Sequence, residues 1–307
     1  MRLCVFALKL CGVRICVIFN PVAKGEKAKR FCKFLATIEK ECALIQTTSA
    51  GAARSLAAKA VRDGFEAIVA AGGDGTINEA LNGIGDADGF ERACLGILPL
   101  GTMNVFAREL AIPRNVEAAW EIIRAGRTTK IDLPSVSFVA DGASERRYFA
   151  QLAGAGLDAR AIERVHWPLK KKIGAFAYVI AGLRALQSRA PEITISSGDF
   201  SAKGELVLVG NGRLYGGEFR IFPRADLRDG VLEVCVFPKV DWLTLAWCGP
   251  KLLTLGTLPA KARQSMRAEK FTLSSDEKVP FQVDGELAGH LPATFSLERE
   301  KLRVLAP

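Results

Sequence analysis

The sequence predicts an α/β domain followed by an all-β domain, and two changes of pattern carry that reading. Up to about residue 125, short apolar runs alternate with segments of helical spacing. From about Ile131 onward, most segments alternate apolar and polar residues and are bounded by Gly, Pro or Asp. Strands alternating with helices build a parallel sheet covered on both faces. Alternating strands with one wet face build an antiparallel sheet, here a sandwich. The switch sets the expected domains at 1–131 and 132–296. The apolar Leu302–Leu305 places 297–307 back with the first domain.

Taken in order, Val13–Phe19 reads as a buried strand. Lys24–Cys42 has helical spacing, with Phe31, Phe34, Leu35 and Ile38 on one face. Ala43–Thr47 is a second strand and Ala50–Asp63 an Ala-rich helix. Ala67–Ala71 is a third strand, followed by Gly72-Gly73-Asp74-Gly75 and the helix Thr76–Ile84. Leu95–Pro99 is a fourth strand, ending in Gly101-Thr102-Met103-Asn104, and Asn115–Ala125 is a helix. Strands of the second domain are expected at Ser135–Ala140, Arg147–Ala153, Glu192–Ser196, Gly204–Gly210, Leu232–Phe237 and Lys270–Ser274. Helices are expected at Lys171–Gln187 and Asp241–Leu255.

Composition narrows the class. At 49% hydrophobic and 24% charged, the chain has the make-up of a globular protein. No apolar run reaches the roughly 20 residues of a membrane-spanning helix. Met1–Leu10 carries Arg2 and Lys9 around a short apolar run, too short for a secretory core, and reads as an extension before the first strand. The eight cysteines form no CxxC pair and only two histidines are present, which argues against zinc and against a disulfide framework. They read as core residues of a reduced, cytoplasmic protein. A net charge of +9 suits an anionic partner without naming one.

Four strand ends gather the residues that carry chemistry. Gly72-Gly73-Asp74-Gly75-Thr76 follows a strand and opens a helix. The glycines let backbone approach a phosphate, and the helix start offers N–H donors. Asp74 would repel phosphate without a metal, which suggests Mg²⁺. Asn20-Pro21-Val22-Ala23-Lys24 follows the first strand, Thr47 ends the second, and Gly101–Asn104 follows the fourth. Carboxyl ends of strands in an open parallel sheet form a ligand crevice, and a nucleotide there explains all four loops. Neither GxxxxGK[ST] nor GxGxxG is present. In the β-rich part, Pro223–Val231 is a turn with two carboxylates. Asp284-Gly285-Glu286 is either a plain hairpin turn or the place of a general base.

These motifs, in this order, resemble the diacylglycerol kinase catalytic-domain superfamily, which includes sphingosine and ceramide kinases and bacterial lipid kinases. They are Asn20-Pro21 with Lys24, Gly72 through Glu79, Gly101–Asn104 with Phe106-Ala107-Arg108, Gly154–Asp158, Pro223 through Gly230, and Asp284-Gly285-Glu286. The resemblance spans Val13 to Pro307. It implies an NAD kinase-like nucleotide domain and a β-sandwich that takes the lipid. By position, ATP would contact Asn20, Pro21, Val22, Ala23, Lys24, Thr47, Gly72, Gly73, Asp74, Gly75, Thr76, Ile77, Asn78 and Thr102. It implies a structural metal held through the carbonyl oxygens of Asp226 and Val231 and the Asp229 side chain. The catalytic base maps to Glu286, with Asp284 beside it. Many relatives carry Asp directly after the Asn of Gly101–Asn104, where it helps hold catalytic Mg²⁺. Here that residue is Val105, which leaves Asp74 and Asp132.

The implied activity is transfer of the γ-phosphate of ATP, with Mg²⁺, to a hydroxyl of diacylglycerol or a related lipid. Two other readings fit parts of the pattern. A nucleotide-responsive membrane-surface protein with altered catalysis fits Val105. An NAD kinase fits Gly72–Gly75 but not Asn20-Pro21, Gly101–Asn104 or Asp284–Glu286. The expected partners are ATP and a lipid presented at a membrane surface, with no nucleic acid. The expected location is the cytoplasm, with transient visits to the inner membrane surface. For that encounter, Lys170, Lys171 and Lys172 beside Trp167 and the apolar run from Ile173 form a candidate contact.

Overall fold

Strands short enough to be buried end to end make the centre of the first half of the chain. The computed structural model describes residues 13–20, 26–163 and 190–307. Met1–Leu10, Pro21–Lys24, the expected helix Lys171–Gln187 and Lys170–Lys172 lie outside them. The chain divides into two compact units, Met1–Ile131 with Arg299–Pro307, and Asp132–Glu298.

In the first unit, β1 (Ile15–Phe19), β2 (Ala43–Gln46), β3 (Ala67–Gly72) and β4 (Cys94–Pro99) pair in parallel in the order β2-β1-β3-β4. The end of the last strand, β18 (Ala293–Leu305), adds beside β4 through Val304 and Leu95. Every residue of β3 and β4 is buried, which is why both read as continuous apolar runs rather than alternating ones. The helices are α1 (Glu26–Ile38), α2 (Ala52–Arg62), α3 (Asp74–Asp86), the short α4 (Val105–Glu109) and α5 (Val116–Ala125). Asn115 caps α5 by accepting the Ala118 N–H at 2.8 Å. The strand order places the topological switch between β1 and β3. Asn20 and Gly72–Gly75 therefore flank the crevice that such sheets use for ligands.

The second unit is a sandwich. One sheet runs β14-β13-β10-β7-β16-β17: β7 (Leu152–Gly156), β10 (Leu206–Gly210), β13 (Leu232–Phe237), β14 (Gln264–Ala268), β16 (Pro280–Val283) and β17 (Glu286–His290). The facing strands are β15 (Lys270–Ser274), β8 (Ile193–Ser197), β9 (Phe200–Gly204) and the start of β18. They are joined by β5 (Thr128–Ala140) and β6 (Ala143–Tyr148). Their inward residues form one apolar core that includes Val136, Val207, Val234 and Leu273. Phe271 stacks on Phe295 at 5.2 Å between ring centroids, and Phe138 meets Phe281 edge-on at 5.1 Å.

The expected α/β and sandwich classes are therefore what the chain forms. The strand expected at Arg147–Ala153 is divided between β6 and β7, because Phe149 to Gln151 serve a different contact described below. Elements that escaped the sequence reading in this unit include α6 (Leu157–Glu163), β9 and β14. The helix expected at Asp241–Leu255 is α7 (Trp242–Leu255), with Asp241 as its cap. A small hairpin, β11 (Leu214–Tyr215) with β12 (Phe219–Arg220), completes the unit.

Candidate active site

At the carboxyl edge of the first sheet, two glycine loops are locked to one another. Gly72 accepts N–H bonds from Leu100 at 2.9 Å and Gly101 at 3.2 Å. A Cβ on Gly101 would lie 2.5 Å from the Gly73 Cα, closer than any side chain tolerates, so only glycine permits this contact. Asn104, fully buried and left-handed at φ 50°, closes the second loop. Its side-chain oxygen accepts the Gly101 N–H at 3.0 Å and its amide donates to the Gly101 carbonyl at 2.7 Å. Asp74 then accepts the Val105 N–H at 2.8 Å and caps α4. No side chain caps the start of α3, and Gly73 to Thr76 are partly exposed, which leaves a helix start accessible to an anion.

The neighbouring strand ends are held on the same edge. Asn20 donates its N–H to the Ala71 carbonyl at 3.2 Å, and buried Thr47 donates to Phe19 at 2.9 Å. Glu79 accepts the N–H groups of Gly51 at 2.8 Å and Ala53 at 2.9 Å, which fixes the start of α2 just beyond Thr47. The sequence placed Glu79 in the motif without a role, and the structure gives it one. Asn82 donates to the Asn78 backbone and side-chain oxygens at 2.9 and 3.1 Å, while Ile77 is buried beneath the loop. Exposed Thr102 keeps its carbonyl within 3.4 Å of Arg114. Of the expected nucleotide contacts, Asn20, Thr47, Gly72–Asn78 and Thr102 thus share one edge; Pro21, Val22, Ala23 and Lys24 fall outside the described residues.

In the second unit, Asp284 and Gly285 join β16 to β17 with φ of 48° and 86°, the conformation Asp-Gly favours in a tight hairpin. The Asp284 carboxylate does not stand open. It accepts three backbone N–H bonds, from Ala150 at 2.8 Å, Gln151 at 2.9 Å and Leu152 at 3.1 Å. That fastening is what interrupts the strand between β6 and β7. Glu286, the first residue of β17, is half-buried. Behind the turn, Gln282 accepts the Gly285 N–H at 2.7 Å and donates to Asp158 at 2.7 Å; Tyr215 donates to the other Asp158 oxygen. A Cβ on Gly154 would lie 2.1 Å from that Asp158 carboxylate, so the glycine makes room for it.

Residues 14–136 match the family model described as the diacylglycerol kinase catalytic domain, and residues 151–306 match the YegS C-terminal NAD kinase beta sandwich-like domain. A diacylglycerol kinase of Staphylococcus saprophyticus is 31% identical over 302 residues, covering 95% of this chain and 94% of its own. The chain belongs to the diacylglycerol kinase catalytic-domain family. It is a lipid kinase, a phosphotransferase with an alcohol acceptor. A diacylglycerol kinase of Staphylococcus aureus strain MRSA252 is 32% identical over 303 residues, covering 95% of this chain and 91% of its own. A crystal structure of a diacylglycerol kinase from Bacillus anthracis superposes with a TM-score of 0.75 at 23% identity. It covers 96% of this chain and 97% of its own, and shows the same fold.

For this lipid kinase, a Mg²⁺ implied by the family can be tested against donor chemistry. Asp74 offers a carboxylate at the partly exposed start of α3, which suits a hard cation. The position after Asn104 offers none, because Val105 is buried and gives only its N–H to Asp74. Asp132 keeps a buried carboxylate in the second unit, where it accepts the Gly230 N–H at 2.8 Å. Asp74 is therefore the residue of the first unit that would hold the ion, which would supply charge neutralisation during transfer.

The expected structural-metal turn is engaged otherwise. Asp229 pairs with Arg267 and accepts the Val231 N–H at 3.2 Å; Asp226 accepts the Arg228 N–H at 3.1 Å. No cluster of three or more His, Cys, Asp or Glu side chains suited to a metal occurs among the described residues. A cation here would compete with Arg267 for the Asp229 carboxylate. If the ion pair alone holds the turn, chelation is expected to leave the melting curve unchanged. Arg267→Ala is expected to lower stability by less than about 1 kcal/mol, since the pair is partly solvated. A fall in melting temperature on chelation would restore the metal.

Burial shifts the pKa of groups in the second unit and in the core. Part of Asp158 reaches solvent, but its carboxyl group is enclosed, and burial raises its pKa above the ordinary 3.8; the Tyr215 and Gln282 hydrogen bonds pull the other way. Its contribution to stability is full below about pH 4 and is lost as pH rises through the folded value. Asp158→Asn should therefore lose less stability than the wild type as pH rises from 4, measured by urea midpoints; parallel curves would contradict this. Burial pushes the Cys16 and Cys42 thiols up to about 12 and Cys94 and Cys235 to about 11, consistent with unreactive core residues.

Proposed function

We propose that this lipid kinase transfers the γ-phosphate of ATP to a hydroxyl of diacylglycerol or a closely related lipid, with Glu286 as the general base. The acceptor oxygen attacks the γ-phosphorus as its proton passes to the Glu286 carboxylate. The bond between the γ-phosphorus and the bridging oxygen breaks, and ADP leaves. The locked Gly72–Gly75 and Gly101–Asn104 loops hold the phosphates with donors that need no rearrangement, which is where catalytic stabilisation of transferred phosphoryl groups comes from. The observation that supports Glu286 over Asp284 is the Asp284 carboxylate, whose oxygens accept three backbone N–H groups.

Diacylglycerol is the acceptor favoured by the names of the relatives that are similar over nearly their whole length. Diacylglycerol, monoacylglycerol, ceramide and sphingosine, each in the same mixed micelles with labelled ATP and Mg²⁺, test it. The reading expects diacylglycerol to give the highest rate at equal mole fraction. A faster rate on a sphingoid acceptor would reassign the substrate. Absence of label in every lipid, with nucleotide still bound, would favour a protein altered at Val105, whose side chain offers a metal nothing.

A further inference from the structure

Surface helices turn polar residues outward, and α7 does the reverse. Successive helical residues lie 100° apart, so Trp242, Leu243, Ala246, Trp247, Pro250 and Leu253 share one face. That face is open: Leu243 and Leu253 are each 79% exposed, Trp242 55% and Trp247 49%. The opposite face carries Leu245, Cys248 and Leu252, of which Cys248 is buried. The helix contains no acidic residue. Lys251 and Lys261 lie exposed within and just beyond it; Lys239 pairs with Asp241 at 3.1 Å, which also caps the helix through Thr244 at 2.8 Å, and part of the Arg263 guanidinium is buried.

We propose that the outward face of α7 is the surface by which this kinase docks on an anionic phospholipid bilayer; the proposal rests on the lipid-kinase reading and deepens it. Two exposed tryptophans beside leucines suit the boundary between headgroups and acyl chains, where indole rings concentrate. Cations around an apolar helix face add attraction to anionic headgroups. A second copy of the chain is the poorer occupant, because an isologous contact would bring the same cations against one another with no acid on the face to meet them.

The helix is also tied to the acceptor turn within its own unit. Gly256, at its end, accepts the Arg220 N–H at 2.7 Å. Arg220 pairs with Leu214 in the β11–β12 hairpin, and Tyr215 of that hairpin donates to Asp158. Asp158 holds Gln282, which holds Gly285. A helix seated in a bilayer thus connects by packed backbone and side-chain contacts to the turn that carries Glu286.

The test is co-sedimentation of the full chain with vesicles of phosphatidylcholine and phosphatidylglycerol, beside Leu243→Glu/Leu253→Glu. The wild type should partition to the vesicles, more strongly at low salt, and the double variant should lose on the order of tenfold or more of that partitioning. Its melting temperature and its rate on lipid in neutral detergent micelles should match the wild type. Tryptophan emission should shift to shorter wavelength on adding vesicles, and the Trp242→Phe/Trp247→Phe pair should diminish that shift. Equal partitioning of wild type and Leu243→Glu/Leu253→Glu would overturn the proposal. A wild-type dimer that the glutamates dissociate, with no vesicle binding by either, would overturn it in favour of a self-association face. Vesicle binding that depends on Leu243 and Leu253, with no lipid phosphorylated in micelles, would support the docking surface and remove the kinase reading.

Discussion

Asp74→Asn is expected to cut phosphoryl transfer by roughly 10²-fold or more while the variant melts as the wild type does. The separation of the two effects follows from geometry. Asp74 accepts the Val105 N–H, and an asparagine oxygen can still accept that bond. What Asn removes is the negative charge that would hold Mg²⁺ beside the phosphates, at a place where Val105 supplies no second carboxylate. The measurement is the saturated rate with ATP and Mg²⁺, beside thermal melting of the same preparation. A variant that turns over near normally would take Asp74 out of the chemistry. One that unfolds would make it a cap for α4 alone.

The second large effect separates two carboxylates on one turn. Glu286→Gln should lower kcat roughly 10²–10⁴-fold with little change in ATP affinity, because a base is lost while the side chain keeps its size. Asp284→Ala should instead destabilise the protein by on the order of 3 kcal/mol or more, since three backbone N–H groups lose a charged acceptor. Urea unfolding and steady-state kinetics on both variants decide the assignment. Should Glu286→Gln remain fully active, the turn is a hairpin and the base lies elsewhere. Should Asp284→Ala keep full stability, the three contacts are not what holds β6 to β7.

The fold class was legible because its two patterns are strong. The wholly buried β3 and β4 read as continuous apolar runs, and Leu232–Phe237 and Lys270–Ser274 stand as expected. Short elements were not legible: α4 and α6 are too brief for a helical period to show, and β9 is mostly exposed. The glycine loops could be found singly, by the switch from an apolar run to Gly and Asp. Their mutual lock could not, because Gly73 and Gly101, and Asp74 and Val105, meet across long separations in sequence. For the same reason the turn Asp284–Glu286 offered two candidate bases. The contacts that engage Asp284 come from Ala150–Leu152, more than a hundred residues away. The helix α7 was found, but being apolar on both faces it gave no sign of which face would be left open.

The most direct test of the central claim is the fate of labelled γ-phosphate when the purified chain is incubated with ATP, Mg²⁺ and diacylglycerol in mixed micelles. The account predicts label in the organic phase as the phosphate monoester of the lipid, in proportion to ADP formed, and its loss with Glu286→Gln. Label released only as inorganic phosphate, or a lipid product that forms equally well with Glu286→Gln, would contradict it.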